Sequence, residues 1–239
     1  MYKKVRKTFF LKHTSANEII GQATQIKSIG KNMSKKRTIK KIGLYGILTN
    51  PKPGYLKVAQ AMADKKLSFI QLRMKNHLEQ EILTVAKQLR KIIGPESIFI
   101  INDSPHIAAE VGADGVHLGQ SDMSIEEARK IVGPDAIIGL STHNPEQTIA
   151  ACKKQPDYIG VGPVFPTPTK KIPDPAIGFD GMKKMLELAT VPAVVLGGIN
   201  HSNIQAVLDN GANSVCAVRC INASDNPKKE IDRLLEIIG

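Results

Sequence analysis

Eight short apolar runs, spread along the chain from residue 42 onward, constrain the fold of this 239-residue sequence more than any other feature. Each run is continuously apolar instead of alternating with polar residues, which is typical of strands buried on both faces of a parallel sheet. The runs cover residues 42–48, 68–72, 97–101, 115–118, 136–140, 158–161, 193–196 and 214–218.

Amphipathic segments with helix-end signals separate these runs. Ser124 and Asn144 are placed as N-caps, and Gly133 follows the helix that Ser124 begins. A strand followed by a helix, eight times over with a last helix at 227–238, predicts an α/β protein of the (β/α)8 TIM-barrel type, as one domain over residues 42–239. An open doubly wound sheet is the alternative, but the run count is eight and no GxGxxG follows the first run.

An internal repeat supports the barrel. The phrase "GADGVHLG" begins at residue 112 and "GANSVCAV" begins at residue 211. The interval matches four strand–helix units of about 25 residues each. The two phrases are therefore predicted to begin strands four and eight.

The positive charge is concentrated in an N-terminal extension, residues 1–41. This stretch holds 12 of the 33 Lys and Arg residues and a single acid, Glu18, so the remainder of the chain is neutral. A nucleic-acid-binding protein is expected to carry its excess charge on the folded surface, beside aromatic residues, which are sparse here. We therefore predict no nucleic-acid partner.

The extension has two interpretations of equal weight. Its basic, acid-poor composition is typical of an organellar transit peptide, and Met33 could instead be the true start of translation. An RNA-binding arm or a structural extension ranks well behind both. No apolar stretch is long enough to span a membrane, so no membrane partner is expected.

The three cysteines, Cys152, Cys216 and Cys220, form no CxxC pair and no metal-ligand pattern. This suits a reducing compartment. We predict a cytoplasmic protein, or an organellar one if residues 1–41 are a transit peptide.

In a TIM barrel the active site lies at the carboxyl ends of the strands, so polar residues that follow the apolar runs are candidates for chemistry. His117 lies within the fourth run. The residues at the end of a run or just after it are Gln71, Arg73, Lys75, Asn102, Asp103, Gln120, Asp122, Ser141, Thr142, His143, Gly197, Gly198 and Arg219, and the loop 162–171, which contains Lys170, follows the sixth run.

Two of these residues suggest a metal. Asp103 and Asp122 follow neighbouring runs, and their carboxylates would repel each other without a cation between them. Mg²⁺ suits oxygen ligands and completes its shell with substrate phosphates. Arg73, Lys75 and Lys170 would add positive charge, so a diphosphate ligand is predicted. The glycine pair Gly197–Gly198 lies where TIM barrels commonly bind a second phosphate.

Each candidate also has a structural interpretation. The segment Asp103-Ser104-Pro105 could cap the next helix without any metal, and His117 could be a hydrogen-bonded residue of the barrel interior. His143 could orient its loop, Arg73 and Lys75 could form surface ion pairs, and the glycine pair could permit a tight turn. The convergence of all of them on one end of the fold favours a functional site.

Several segments resemble thiamine phosphate synthases, in order and spacing, from about residue 42 to the C-terminus. They are "FIQLRMK", "IINDSPHIAAEVGADGVHLGQSDM", "IIGLSTHN", "DYIGVGPVFPTPTK" and "VVLGGI". The resemblance implies a Mg²⁺-dependent TIM-barrel transferase that joins 4-amino-2-methyl-5-(diphosphooxymethyl)pyrimidine to a thiazole phosphate. The products would be thiamine phosphate and pyrophosphate.

The resemblance also implies roles for individual residues. Asp103 and Asp122 match the magnesium ligands. The positions that hold the pyrimidine diphosphate are matched by Gln71, Arg73, Lys75, Asn102, Ser141 and Lys170. Among these, the catalytic positions are matched by Arg73, Lys75, Ser141 and Lys170. The thiazole phosphate site is matched by Thr167, Pro168, Thr169, Gly198, Val218 and Arg219.

Three features depart from the family pattern. Arg219 replaces a common Ser after strand eight, Asn50 replaces a common Asp after strand one, and the extension has no counterpart. Arg219 could add a phosphate contact, or its bulk could narrow the pocket. A thiazole tautomerase-like barrel and a non-catalytic binder of a phosphorylated thiamine precursor remain the alternatives, and the sequence predicts no oligomeric state.

Overall fold

The computed structural model describes residues 39, 41–167 and 174–239. Predictions for residues 1–38 lie outside the described residues, and so do those for Pro168, Thr169 and Lys170. The division between residues 1–41 and residues 42–239 therefore stays a prediction.

Eight parallel strands form one sheet and pair in chain order. The barrel closes where Leu44 bridges Val215, whose N–H donates to the Gly43 carbonyl at 2.9 Å. The predicted TIM barrel is thus confirmed. The strands are β1 (Tyr45–Leu48), β2 (Phe69–Leu72), β3 (Ile98–Asn102), β4 (Gly115–Leu118), β5 (Ile137–Thr142), β6 (Tyr158–Val161), β7 (Ala193–Leu196) and β8 (Val215–Cys216).

Helices follow the strands. In the described residues they are α1 (Tyr55–Asp64), α2 (Glu79–Ile92), α3 (Pro105–Glu110), α4 (Ile125–Val132), α5 (Pro145–Lys153), α6 (Gly178–Leu188), α7 (Ile204–Asp209), α8 (Val218–Asn222) and α9 (Pro227–Ile238). Both predicted caps are present, since Ser124 Oγ accepts from the Glu127 N–H and Asn144 Oδ1 accepts from the Gln147 N–H. None of the described helices is long and apolar enough to cross a membrane.

The eighth strand is shorter than predicted. β8 ends at Cys216, and Val218 and Arg219 begin the short helix α8 instead of extending the strand. The Asn222 side chain holds this turn in place: its Nδ2 donates to the Val218 and Ile47 carbonyls, and its Oδ1 accepts from the Thr49 N–H at 3.0 Å. The prediction failed because Asn222 bonds to Ile47 on β1, which lies far away in the sequence.

The internal repeat marks equivalent positions in the fold. Gly112 follows α3 with φ of 62°, and Gly211 follows α7 with φ of 100°. Glycine suits both positions because a left-handed backbone is strained for other residues. Strands β4 and β8 then begin, as predicted.

The barrel has two apolar layers. One lies between the sheet and the helices and includes Leu48, Ile70 and Ile101. The other fills the barrel interior and includes Phe69 and Ile100. The strands are buried on both faces, which explains why their sequences are continuously apolar.

Two acids brace the amino ends of the strands. Asp114 accepts from the Phe99 N–H at 2.8 Å and pairs with Arg90 at 2.9 Å. Asp157 likewise accepts from the Ile138 N–H at 2.9 Å and pairs with Arg129 at 3.0 Å. Charges at this end of the barrel therefore hold strands and helices together, whereas those at the opposite end form the site described next.

Candidate active site

An acidic pair lies at the carboxyl ends of β3 and β4. Asp103 follows β3 with φ of 64°, and its N–H donates to the His117 carbonyl at 2.8 Å. Asp122 is held by the loop after β4, where its Oδ2 accepts from the Gly119 N–H at 2.7 Å. The two carboxyl groups lie within hydrogen-bonding reach of each other. The structure thus brings together the two predicted metal ligands.

The electrostatics of this pair favour a bound positive charge. Burial raises the pKa of Asp103, and the neighbouring Asp122 raises it further, while the ion pair with Lys75 opposes both effects. Burial also lowers the pKa of Arg73, against the influence of the Asp103 charge. A proton or a cation shared by the two carboxylates would relieve their repulsion.

The capping role predicted for the segment Asp103-Ser104-Pro105 is confirmed at Ser104, and the capping side chain is not that of Asp103. Ser104 caps α3, since its Oγ accepts from the Ile107 N–H at 3.3 Å. Asp103 instead keeps a left-handed backbone that is uncommon outside glycine. Its carboxylate is thereby directed to Lys75 and Asp122 and not to the helix.

A cavity of about 450 Å³ opens beside this pair. Its lining comes mainly from β5 to β8 and the loops that follow them. It includes these predicted site residues: Arg73, Ser141, Thr167, Gly198, Val218 and Arg219. Among the described residues, Asp103, Asp122 and Lys75 lie outside this lining, so the acidic pair and the cavity are separate parts of one mouth, with Arg73 on the cavity wall.

The glycine pair permits a close approach of two loops. Gly197 and Gly198 have φ of 102° and 67°, and a Cβ on Gly198 would lie 2.7 Å from the Phe165 Cβ. The N–H groups of Val164 and Phe165 donate to the carbonyls of Leu196 and Gly197, each at 3.0 Å. The pair therefore has a packing role, and its phosphate contact stays a prediction.

His143 connects two segments of the rim. Its Nδ1 lies 2.6 Å from the Gly162 carbonyl, which can only accept, so Nδ1 carries the hydrogen. Its Nε2 lies 3.5 Å from Asp174 Oδ2. This arrangement agrees with the interpretation that His143 orients the loop after β6.

Two tyrosines of the barrel interior were not identified from the sequence. The Tyr45 and Tyr158 hydroxyls are 2.7 Å apart, and both belong to a buried chain of hydrogen bonds that reaches Gln71, His117 and Ser141. The only sequence signal was a polar hydroxyl within two otherwise apolar runs.

Comparison with known proteins assigns the family. The model of the thiamine monophosphate synthase family matches residues 44–221. The chain belongs to this family. Thiamine-phosphate synthase of Methanosarcina mazei is 38% identical over 187 residues, covering 78% of this chain and 78% of that protein. Thiamine-phosphate synthase of Koribacter versatilis is 38% identical over 172 residues, covering 72% of this chain and 81% of that protein.

Solved structures agree with this family assignment. Thiamine phosphate pyrophosphorylase of Pyrococcus furiosus superposes with a TM-score of 0.74 at 33% identity, covering 82% of this chain and 95% of that chain. A 3-hexulose-6-phosphate synthase superposes with a TM-score of 0.62 at 17% identity and shows the fold alone. The predicted thiamine phosphate synthase is thereby confirmed, and the activity of the family is thiamine phosphate formation in thiamine biosynthesis.

The predicted metal site would rest on two carboxylates. Within residues 41–167 and 174–239, no group of three or more His, Cys, Asp or Glu side chains is placed to hold a metal ion. A site of this kind, with two protein carboxylates, suits Mg²⁺ that is completed by water and phosphate oxygens.

Proposed function

We propose that this member of the family is a Mg²⁺-dependent transferase that uses Asp103 and Asp122 as its metal ligands. Its substrates are 4-amino-2-methyl-5-(diphosphooxymethyl)pyrimidine and a thiazole phosphate. The observation that carries the proposal is the acidic pair of Asp103 and Asp122, with Lys75 paired to Asp103. The cavity beside this pair is lined by Arg73 and Arg219.

The residues fit magnesium. The pKa of Asp103 is raised even though Lys75 pairs with it, so its carboxylate charge stays unfavourable until a further positive charge is bound. Oxygen donors without sulfur or imidazole are the ligand set that Mg²⁺ prefers. Bound there, the metal would neutralise the charge that develops on the departing pyrophosphate.

Side chains on the same rim would assist the departure. Arg73 is anchored by its Nη1, which donates to Thr49 Oγ1 at 3.4 Å, and Lys75 is held by Asp103. Both cations therefore stay near the acidic pair, where a diphosphate would bind. Lys170 would add a third cation in the proposal, although it lies outside the described residues. Gln71, Asn102 and Ser141 would hold the pyrimidine.

The thiazole phosphate would occupy the cavity. Its lining includes Thr167, Gly198, Val218 and Arg219, and Pro168 and Thr169 continue the predicted set beyond the described residues. The Arg219 side chain is exposed and has no ion-pair partner in the described part of the chain. An unpaired guanidinium beside a cavity supports a phosphate contact in preference to mere narrowing of the pocket.

The chemistry needs little acid or base from the protein. The C–O bond to pyrophosphate breaks and leaves a pyrimidine methylene cation that is delocalised into the ring and its amino group. The thiazole nitrogen then supplies the electron pair for the new C–N bond. Positioning and charge stabilisation dominate such a reaction. Burial raises the pKa of the Cys216 and Cys220 thiols, so neither is an activated nucleophile.

The three free cysteines also support a reducing compartment, and the cytoplasm is our proposed location. Transport to an organelle would follow only if residues 1–41 act as a transit peptide.

Pyrophosphate release by the full chain tests the proposal. Release should require both substrates and Mg²⁺, and should fall by at least about a hundredfold in Asp103→Ala. Asp114→Asn is a matched control, because Asp114 is a partly buried carboxylate at the opposite end of the barrel. It should keep the metal dependence of the wild type.

Two outcomes would contradict the proposal. Isomerisation of a thiazole phosphate without pyrophosphate release would favour the tautomerase alternative. Binding of thiazole phosphate by folded protein without any turnover would favour the non-catalytic binder.

A further inference from the structure

A continuous chain of hydrogen bonds crosses the barrel interior beneath the proposed site. Gln71 Nε2 donates to the Tyr45 hydroxyl at 2.9 Å, and this hydroxyl lies 2.7 Å from that of Tyr158. The Tyr158 hydroxyl lies 2.9 Å from His117 Nδ1, and His117 Nε2 lies 2.9 Å from Ser141 Oγ. The chain joins β2, β1, β6, β4 and β5, in that order.

The two phenol groups are not required by the packing of this layer. Tyr45, Phe69 and Tyr158 form a cluster of edge-to-face rings, with centroids 5.5 to 5.8 Å apart. Phe69 shows that a phenyl ring without a hydroxyl is suited to the cluster. Burying a hydroxyl is costly unless it is hydrogen-bonded. Packing alone therefore does not account for the two fully buried hydroxyl groups in this apolar layer.

The chain has a direction. The Gln71 amide nitrogen can only donate, so the Tyr45 hydroxyl accepts from it. Tyr158 is the remaining partner of this buried hydroxyl among the described residues, so the Tyr45 hydrogen is satisfied only if Tyr45 donates it to Tyr158. Tyr158 in turn donates to His117 Nδ1. Burial raises the pKa of both phenols, so each keeps the hydrogen that this order requires.

The direction continues to the mouth of the barrel. Since His117 Nδ1 accepts, the neutral imidazole carries its hydrogen on Nε2 and donates it to Ser141 Oγ. The Ser141 hydroxyl then has its own hydrogen left to donate elsewhere. Ser141 lines the cavity, so a ligand there can receive that hydrogen.

The backbone leaves space for the chain. A Cβ on Gly139 would lie 2.5 Å from His117 Nδ1 and would overlap the Tyr158 ring. Glycine at this position of β5 lets the imidazole and the phenol meet. Any larger residue would separate the two partners at the centre of the chain.

We propose that Tyr45, Tyr158 and His117 are positioning residues that fix the Ser141 hydroxyl as a hydrogen-bond donor to a ring nitrogen of the pyrimidine substrate. The inference rests on the proposed function, since it assumes that Ser141 contacts the pyrimidine. It adds that the hydroxyl faces an acceptor nitrogen and not the exocyclic amino group, which itself donates.

Steady-state kinetics of Tyr158→Phe test the inference. The variant keeps the aromatic ring and loses the hydroxyl that joins Tyr45 to His117. We therefore expect kcat/KM for the pyrimidine diphosphate to fall about fivefold, while the KM for thiazole phosphate stays unchanged. Combining it with Ser141→Ala should add no further loss, because both changes remove the same oriented donor. Tyr45→Phe, one link further away, should show the same selectivity with a smaller loss.

Phe69→Leu is the matched control. It disturbs the same ring cluster without removing a hydroxyl, so it should lower the melting temperature and leave kcat/KM for the pyrimidine diphosphate and the KM for thiazole phosphate unchanged. If Tyr158→Phe behaves like Phe69→Leu, or if its effect adds fully to that of Ser141→Ala, the inference is wrong. An inactive wild type would instead contradict the proposed function itself. Should Tyr158→Phe fail to fold, Tyr45→Phe decides by the same criteria.

Discussion

The replacement Asp103→Asn should stabilise the metal-free protein while it abolishes the proposed metal-dependent reaction. The change keeps the size of the side chain and removes its charge. Asp103 lies beside Asp122, and burial together with that neighbour makes its charge unfavourable. The carboxylates of the proposed site therefore lower the stability of the metal-free protein, and metal binding is the function that retains them.

The size of the gain follows from the charges. Two like charges about 4 Å apart repel by about 1 kcal/mol in water and by about 4 kcal/mol at an effective dielectric constant of 20. The ion pair with the partly exposed Lys75 offsets about 1 kcal/mol of this repulsion. The difference lies between about 0 and 3 kcal/mol, and a gain of about 1 kcal/mol within this range would raise the melting temperature by about 2–4 °C in a domain of this size.

The gain should depend on pH. The pKa of Asp103 is raised in the folded protein, so the folded state holds this proton to higher pH than the unfolded chain does. The stability that this proton contributes is complete below the ordinary aspartate pKa of about 3.9 and is lost as the pH rises through the folded-state pKa. The variant should therefore exceed the wild type at pH 7 and match it near pH 4.

Thermal denaturation of both proteins at these two pH values, with and without Mg²⁺ and pyrophosphate, is the assay. The ligands should raise the melting temperature of the wild type and not that of the variant. Asp114→Asn serves as the control and should destabilise, because Asp114 pairs with Arg90 and accepts from the Phe99 N–H. An Asp103→Asn variant that melts below the wild type at pH 7 would refute the electrostatic reasoning.

Three further predictions concern other parts of the barrel. Asp157→Ala should lower the free energy of unfolding by about 2 kcal/mol in urea denaturation, since it removes the ion pair with Arg129 and the acceptor of the Ile138 N–H; an unchanged midpoint would contradict this. Gly198→Ala should lower it by about 1–3 kcal/mol, because its φ of 67° and the nearby Phe165 disfavour a Cβ. Arg219→Ser should raise the KM for thiazole phosphate about tenfold without changing the KM for the pyrimidine diphosphate. A KM for thiazole phosphate equal to that of the wild type would exclude a phosphate contact of Arg219.

Local sequence patterns were sufficient to predict most elements of the barrel. Continuous apolar runs mark strands that are covered on both faces, and a cap such as Ser124 acts on amide groups a few residues away. Because every parallel strand ends at the same rim, the positions of Asp103 and Asp122 after consecutive strands also predicted their meeting.

Tertiary structure decided the features that depend on residues far apart in the chain. Tyr45 meets Tyr158 across 113 positions, and Asn222 ends β8 early by bonding to Ile47 across 175 positions. No local pattern reports such contacts, because each depends on how the closed sheet brings its strands into register.

The sequence by itself determined the strand order, the helix ends and the set of charged residues at the mouth, since these depend on periodicity and on short-range hydrogen bonds. Only the tertiary structure decided how those groups interact. It placed Asp103 against Lys75 and joined Ser141 to His117 by a hydrogen bond. The physical reason is that burial and hydrogen-bond direction are properties of the assembled barrel and not of any single segment.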